Sequence, residues 1–209
     1  MEPAGRACGA LVLSGGLSTR HGGFPKALLP IGGVPAIVRV LSCCLRAGLS
    51  PVVAVIRPEF SSVREAIRGL PVRVVASDRC ALGRTGSIQA GERELPEGHA
   101  LFVWPIDRPF AEDKTVRALL SGMTSNPDAN WFVPTYGGRG GHPVLLAPAV
   151  RDPLRVLDPS APLRRLRPDD GPELVRVPVP DPSIHWGTDT PEEYRESLER
   201  ARRSGWTGG

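Results

Sequence analysis

Short apolar runs alternate with helix-like stretches along most of this chain, and that alternation narrows its fold more than any other feature. Gly9 to Leu13 (GALVL), Val52 to Ile56 (VVAVI), Val72 to Ala76, Ala100 to Trp104 (ALFVW) and Trp131 to Thr135 read as strands. Between them, Ile37, Leu41, Cys44 and Leu45 fall on one helix face, with Gly48 as a stop. Ser61 to Arg68, Ser87 to Glu94 (opened by Gly86) and Glu112 to Leu120 read as further helices. Strands that alternate with helices imply right-handed crossovers and a mostly parallel sheet covered on both faces, an α/β fold. Gly137 to Val179 is less regular and rich in proline, and an antiparallel addition is expected there. Pro191 to Arg203 reads as an amphipathic, charged helix. Without an internal repeat or a low-complexity linker, the 209 residues read as one domain.

The first strand runs straight into L-S-G-G-L-S-T-R-H-G-G-F-P-K, Leu13 to Lys26. Its four glycines allow backbone N–H groups to turn toward a bulky anion and approach it closely. Leu13 and Ser14 end the strand, Gly15 and Gly16 follow, Ser18 and Thr19 add hydroxyl donors, and Arg20 and Lys26 add positive charge. A triphosphate calls for that combination of short donors and fixed cations. Neither the dinucleotide G-x-G-x-x-G nor the G-K-[ST] of a P-loop occurs here. A flexible glycine turn carrying a surface Arg and Lys is the competing reading.

Three other segments carry candidate chemistry. In W-P-I-D-R-P-F, Asp107 follows an apolar strand on the sheet edge that carries the glycine loop. It reads either as a Mg²⁺ carboxylate or as a turn or capping residue. Thr190-Pro191-Glu192-Glu193 is a capping box, which leaves Asp189 just before the cap as a candidate second metal carboxylate. In G-R-G-G-H-P-V-L-L, Gly141, His142 and Pro143 follow a glycine approach and read as a structural turn or as part of a second ligand site.

Charge and cysteine usage exclude several classes. The net charge of +4 is mild and spread along the chain, which suits small anionic ligands and gives no basic stripe for nucleic acid. No run of about 18 apolar residues spans a membrane, and the first residues lack a signal core. The four cysteines form no C-x-x-C pair and read as buried apolar residues of a reducing compartment, the cytoplasm.

In order, these segments resemble the MobA-like nucleotidyltransferases, most closely the molybdenum cofactor cytidylyltransferase branch. LVLSGGLSTRHGGFPKALLPIGGVPAI is similar to the family signature, and the resemblance implies nucleotide binding by Gly15, Gly16, Ser18, Arg20 and Lys26. G-R-T-G-S-I-Q-A-G is similar to the segment whose serine faces the nucleoside, here Ser87, with Gly86 and Asp78 beside it. Asp107 matches the family's metal aspartate, Asp189 falls in a D-T-P-E closing motif, and G-H-P-V-L-L matches a segment of the cytidylyltransferase branch. The implied fold is a three-layer α/β/α, Rossmann-like nucleotide-diphospho-sugar transferase type. A nucleotide half would cover about 8–110, an acceptor half about 111–190, and a C-terminal helix 191–204. Three positions depart from the pattern. Gly187 stands where Asp or Asn is usual, Asp78 stands near a usual Asn, and His21 replaces a common Met as a packing change.

The reaction implied is attack by an acceptor phosphate on the α-phosphorus of an NTP, CTP or GTP, with Mg²⁺ or alternatively Mn²⁺. Arg20 and Lys26 would steady the β- and γ-phosphates, and Asp107, helped by Asp189, would hold the metal. A molybdopterin-type phosphate is the first acceptor. A sugar-1-phosphate, an inactive nucleotide-binding homologue and, more weakly, a glycosyltransferase are the alternatives. The resemblance implies a monomer or weak homodimer, with no nucleic-acid or membrane partner.

Overall fold

A computed structural model describes residues 7–207; residues 1–6 and 208–209 of the expected domain, with the start of the segment read as lacking a signal core, lie outside the described residues. The strands are β1 (Cys8–Ser14), β2 (Pro30–Ile31), β3 (Val34–Pro35), β4 (Val52–Ile56), β5 (Arg73–Ala76), β6 (Ala100–Pro105), β7 (Trp131–Tyr136), β8 (Arg139–Gly140), β9 (Val144–Leu146) and β10 (Leu174–Pro178). The helices are α1 (Ala36–Arg46), α2 (Ser61–Ala66), α3 (Arg84–Glu92), α4 (Asp113–Ser125), α5 (Arg151–Val156) and α6 (Pro191–Arg203). The main sheet runs β10-β7-β9-β6-β1-β4-β5, with β8 added to β7, and β2 and β3 form a separate ribbon. β6, β1, β4 and β5 are mutually parallel, as are β7 and β10. β9 lies antiparallel between β6 and β7, which is the antiparallel addition expected after Gly137.

The long strands read as unbroken apolar runs because both of their faces are buried. Cys8, Ala10 and Val12 of β1 pack with Val52, Ala54 and Ile56 of β4 and Phe102 and Trp104 of β6 under α1 and α4. Leu11, Leu13, Val53, Val55, Leu101 and Val103 face the other way and pack against Ile88 of α3 and Leu154 of α5. Helices therefore cover both sides of the sheet, as a three-layer α/β/α fold requires. On the second side the α3–α5 contact includes a fully buried ion pair, Arg151 to Glu92 at 2.6 Å.

The largest departures from the expected helix boundaries are at the start of α3 and the end of α4. α3 starts at Arg84, so Gly86 lies inside the helix instead of opening it; Gly83, at φ 137°, makes the break. Gly86 is small because a Cβ there would collide with the Arg79 carbonyl oxygen. α4 continues past Leu120 to Ser125, because Met123 adds another buried turn and Asn126 Nδ2 donates to the Gly122 carbonyl. Among the described residues no helix is long and apolar enough to cross a membrane.

Strand order places the site. The chain moves from β1 outward to β4 and β5, then returns to the other side of β1 as β6. That reversal opens a crevice at the carboxyl ends of β1 and β6, where open α/β sheets bind ligands. The glycine loop leaves β1 there, and Asp107 follows β6 there.

Candidate functional site

The crevice is a cleft of about 280 Å³. Leu13, Ser14, Gly15, Gly16, Ser18 and Lys26 form one wall, Ser87 a second, and Asp107 and Asp189 a third. Nine of the residues singled out from the sequence thus meet in one place, although they come from four separate stretches of chain.

The loop conformation explains its residue types. Gly15 touches α3 so closely that a Cβ would lie 2.7 Å from Cys80 Sγ and 2.8 Å from Ser87 Oγ, whereas Gly16 faces open space. Ser18 adopts φ 55°, an uncommon left-handed conformation, and its Oγ accepts the Lys26 N–H at 3.0 Å. That bond folds the loop back so that Lys26 enters the cleft. His21 Nε2 lies 2.9 Å from the Thr188 carbonyl oxygen. The histidine is therefore a tie between the loop and the D-T-P segment, more than the packing change expected from the sequence.

Lys26 Nζ donates to Asp189 Oδ1 at 2.8 Å, and Arg108 Nη2 lies 3.6 Å from Asp189 Oδ2. Partial burial pushes the Asp189 carboxyl up, but the Lys26 hydrogen bond and the charges of Lys26, Arg108 and Arg20 outweigh it and hold it below the usual carboxylate range. Arg108 Nη1 also donates to Glu193 Oε1 at 2.5 Å and to the His185 carbonyl at 3.3 Å. Gly187 lies directly beneath this pair, and a Cβ there would collide with both Arg108 and Glu193. The missing side chain at 187 thus has a steric cause. The Thr190 cap forms as expected, with its Oγ1 accepting the Glu193 N–H at 3.1 Å, but Glu193 Oε2 reaches past the cap residue to accept the Asp189 N–H at 2.8 Å.

Asp107 is 9% exposed. Its Oδ2 accepts from Arg84 Nη2 at 3.2 Å, and its backbone carbonyl accepts the Thr188 N–H at 3.0 Å. Its Oδ1 is buried and, among the described residues, has no hydrogen-bond partner. A buried carboxylate oxygen left open beside a phosphate cradle suits a divalent cation, which takes one or two carboxylates plus phosphate oxygens and water. Among the described residues no three His, Cys, Asp or Glu side chains gather as a protein-only metal cage. Asp189, with both oxygens on cations, fits a metal less well than Asp107. The segment after Asp107 is held from below by buried Arg39, which donates to the carbonyls of Pro109, Phe110 and Ala111.

Other expected residues lie apart. Thr19 and Arg20 are exposed on the loop, outside the cleft wall. Asp78 is exposed and does not line the cleft; Cys80, two residues on, does. The Gly86 N–H is taken by the Pro159 carbonyl at 3.1 Å. A second cavity, of about 510 Å³, adjoins the cleft and shares Arg84 and Pro105 with it. His142 lines it, and burial, with the charges of Arg84 and Arg108, pushes the His142 imidazole down to about 3. Gly141 packs on Ile184, where a Cβ would lie 2.6 Å from Cγ1, and Pro143 is buried outside the cavity wall. Sequence reasoning missed Arg84 and Arg108. Their only local signal is position, three residues before Ser87 and directly after Asp107.

A family model described as MobA-like NTP transferase domain matches residues 10–173. No curated protein matches the sequence. Among solved structures, a nucleotidyl transferase from Methanothermobacter thermautotroptrophicus is 23% identical at a TM-score of 0.78, over 95% of this chain and 99% of that one. Rv0371C from Mycobacterium tuberculosis, solved in complex with manganese, is 22% identical at 0.73, over 93% and 98%. Molybdopterin-guanine dinucleotide biosynthesis protein A from Archaeoglobus fulgidus is 20% identical at 0.64, over 93% and 98%.

Proposed function

Because the chain belongs to the MobA-like NTP transferase family, we propose that it moves a nucleoside monophosphate, CMP or GMP, from the NTP to the phosphate of a small acceptor, most simply a molybdopterin-type phosphate. It does so as one nucleotidyltransferase domain in the cytoplasm. An acceptor phosphate oxygen forms a bond to the α-phosphorus as the bond from that phosphorus to the β-phosphate oxygen breaks. Pyrophosphate leaves with the electron pair. The acceptor phosphate is largely ionised near neutral pH, its second pKa being about 6, and needs no general base. Catalysis then consists of positioning and charge stabilisation.

The observation that carries this reading is the meeting of the glycine loop, Lys26 and partnerless Asp107 Oδ1 in one cleft at the switch point. Gly15 and Gly16 offer backbone N–H groups to the phosphates, and Ser87 faces the nucleoside. Lys26, aimed by Ser18 and Asp189, meets the growing negative charge on the leaving pyrophosphate, and Arg20 adds charge from the loop. Asp107 would hold Mg²⁺ or Mn²⁺ against the phosphates, with Asp189 assisting, and the ion would neutralise phosphate charge. The manganese bound by the mycobacterial relative supports this choice of ion. Gly141, His142 and Pro143, with the second cavity, form the acceptor side.

Pyrophosphate release with each of four NTPs, Mg²⁺ or Mn²⁺, and a panel of acceptors tests the proposal. Turnover with molybdopterin supports the pterin reading. Turnover with a sugar-1-phosphate but not the pterin replaces that acceptor. No turnover with any NTP and any acceptor defeats the proposal.

A further inference from the structure

We infer that the acceptor carries a second anionic group besides the phosphate that attacks, and that Arg164 and Arg167 bind it. The inference rests on reading the second cavity as the acceptor site, and within that reading it favours an acceptor with two anionic groups over a pterin with a single phosphate. That cavity has an apolar floor of Val103, Val133 and Val144, from three neighbouring strands, with Trp131 beside them. Its charged groups are all guanidinium: Arg84 at the end shared with the nucleotide cleft, and Arg164 and Arg167 on the chain that closes it. No carboxylate lines it.

The three arginines differ in their partners. Arg84 is held by Asp107 at 3.2 Å, which places a cation where the two cavities join and where the attacking phosphate must arrive. Among the described residues no hydrogen bond or ion pair engages the guanidinium of Arg164 or Arg167, whereas Arg57, Arg68, Arg73, Arg117, Arg155 and Arg176 each meet a carboxylate. Arg164 lies in the 3₁₀ turn Leu163–Leu166 and Arg167 follows it in extended backbone, and both line the same cavity. Two guanidinium forks at one cavity wall can form a site for a planar carboxylate or a phosphate.

A further polar atom at the cavity waits for a partner. His142 Nδ1 is buried and, among the described residues, makes no hydrogen bond, and a buried polar atom is ordinarily satisfied. Because its ring is neutral, His142 can pair with a hydroxyl or amide of the ligand and adds no charge. The ligand that fits all of this is a small molecule with a flat or apolar body on the valine and tryptophan floor. Its reacting phosphate lies at Arg84, a polar neutral group at His142, and a carboxylate or second phosphate at Arg164 and Arg167.

The test uses the full chain without NTP and reads equilibrium binding by calorimetry. Phenyl phosphate, 4-carboxyphenyl phosphate and 1,4-phenylene bisphosphate share one flat body and differ in the second anion. The two probes with a second anionic group should bind at least about tenfold more tightly than phenyl phosphate, the size of one charge-assisted hydrogen bond gained. R164A/R167A should erase that difference while leaving phenyl phosphate affinity and the thermal midpoint unchanged. The carboxylate and bisphosphate arms separate the two sources of the anion. Equal binding of all three probes, no binding of any, or a preference that survives R164A/R167A overturns the inference. Pyrophosphate release is scored separately: turnover by a chain that fails here sinks only the second-anion claim, and binding without any turnover sinks the transferase reading.

Discussion

Lys26 Nζ donates to Asp189 Oδ1 at 2.8 Å, joining two residues separated by 163 positions in the chain. The contact brings the D-T-P segment onto the glycine loop and points the lysine into the cleft. His21 makes the second such tie, to Thr188. The loop thus acts through its partners as much as through its glycines.

Lys26→Ala is expected to lower kcat/KM for pyrophosphate release by about two orders of magnitude, the usual size of one lost charge-stabilising donor. Asp189→Asn should cost less, because it leaves the cation but loosens its aim. The double variant should cost little more than Lys26→Ala alone, since the two residues act as one unit. A strictly additive cycle, measured by steady-state kinetics, would show that Asp189 works independently of Lys26.

Gly187 and Arg108 are matched by shape. Gly187→Ala should destabilise the fold by about 1 kcal/mol in denaturant unfolding, because the new methyl must push aside the ends of Arg108 and Glu193 and loosen their pair. Arg108→Ala in the same chain should recover part of that loss by opening the space. Absence of any coupling between the two substitutions would contradict the packing described.

Much of this was legible from the sequence, for physical reasons that differ by element. β4 was read with its observed ends because both faces of the strand are buried, which makes it a continuous apolar run. The glycine loop and Asp107 were legible because each directly follows such a strand. β8, β9 and α5 have six residues or fewer, too short to establish a period, and β10 alternates with exposed residues beside proline. Arg84 and Arg108 gave no pattern because an arginine's role depends on distant partners; Glu193 is 85 residues from Arg108. Asp78 was placed near the nucleoside by the family resemblance, at a position near a usual Asn, but in the turn at Asp78–Leu82 it is Cys80 that lines the cleft.

Glu92 is fully buried against Arg151 and half-exposed Arg155. Burial pushes its carboxyl up, but hydrogen bonds from Arg155 and Arg151 outweigh that and hold it below the usual value. A carboxyl depressed in the fold stabilises above its unfolded pKa, and that contribution is lost as pH falls through the folded value. Glu92→Gln should therefore cost about 3 kcal/mol at neutral pH. The gap to wild type, read by denaturant unfolding, should narrow below about pH 4.5. A gap independent of pH would show that the charge on Glu92 contributes nothing.

His142 should remain neutral wherever the protein is folded, its imidazole being pushed down to about 3 by burial and by Arg84 and Arg108. A histidine depressed in this way stabilises the fold above its unfolded value of about 6.5 and loses that contribution as pH falls toward the folded value. Its ring proton resonances should stay flat between about pH 5 and 8, where an ordinary histidine titrates. A midpoint inside that window would contradict the burial assigned to this ring.

The central claim is that this cleft transfers a nucleotidyl group, and an NTP labelled at the α-phosphorus tests it most directly. With Mg²⁺ or Mn²⁺ and a phosphate acceptor, the account predicts that the label moves to the acceptor in equal amount with unlabelled pyrophosphate. Asp107→Ala should slow that transfer by about two orders of magnitude. A chain that binds the NTP yet leaves all the label in it with every acceptor, or an Asp107→Ala variant as active as wild type, would contradict the account.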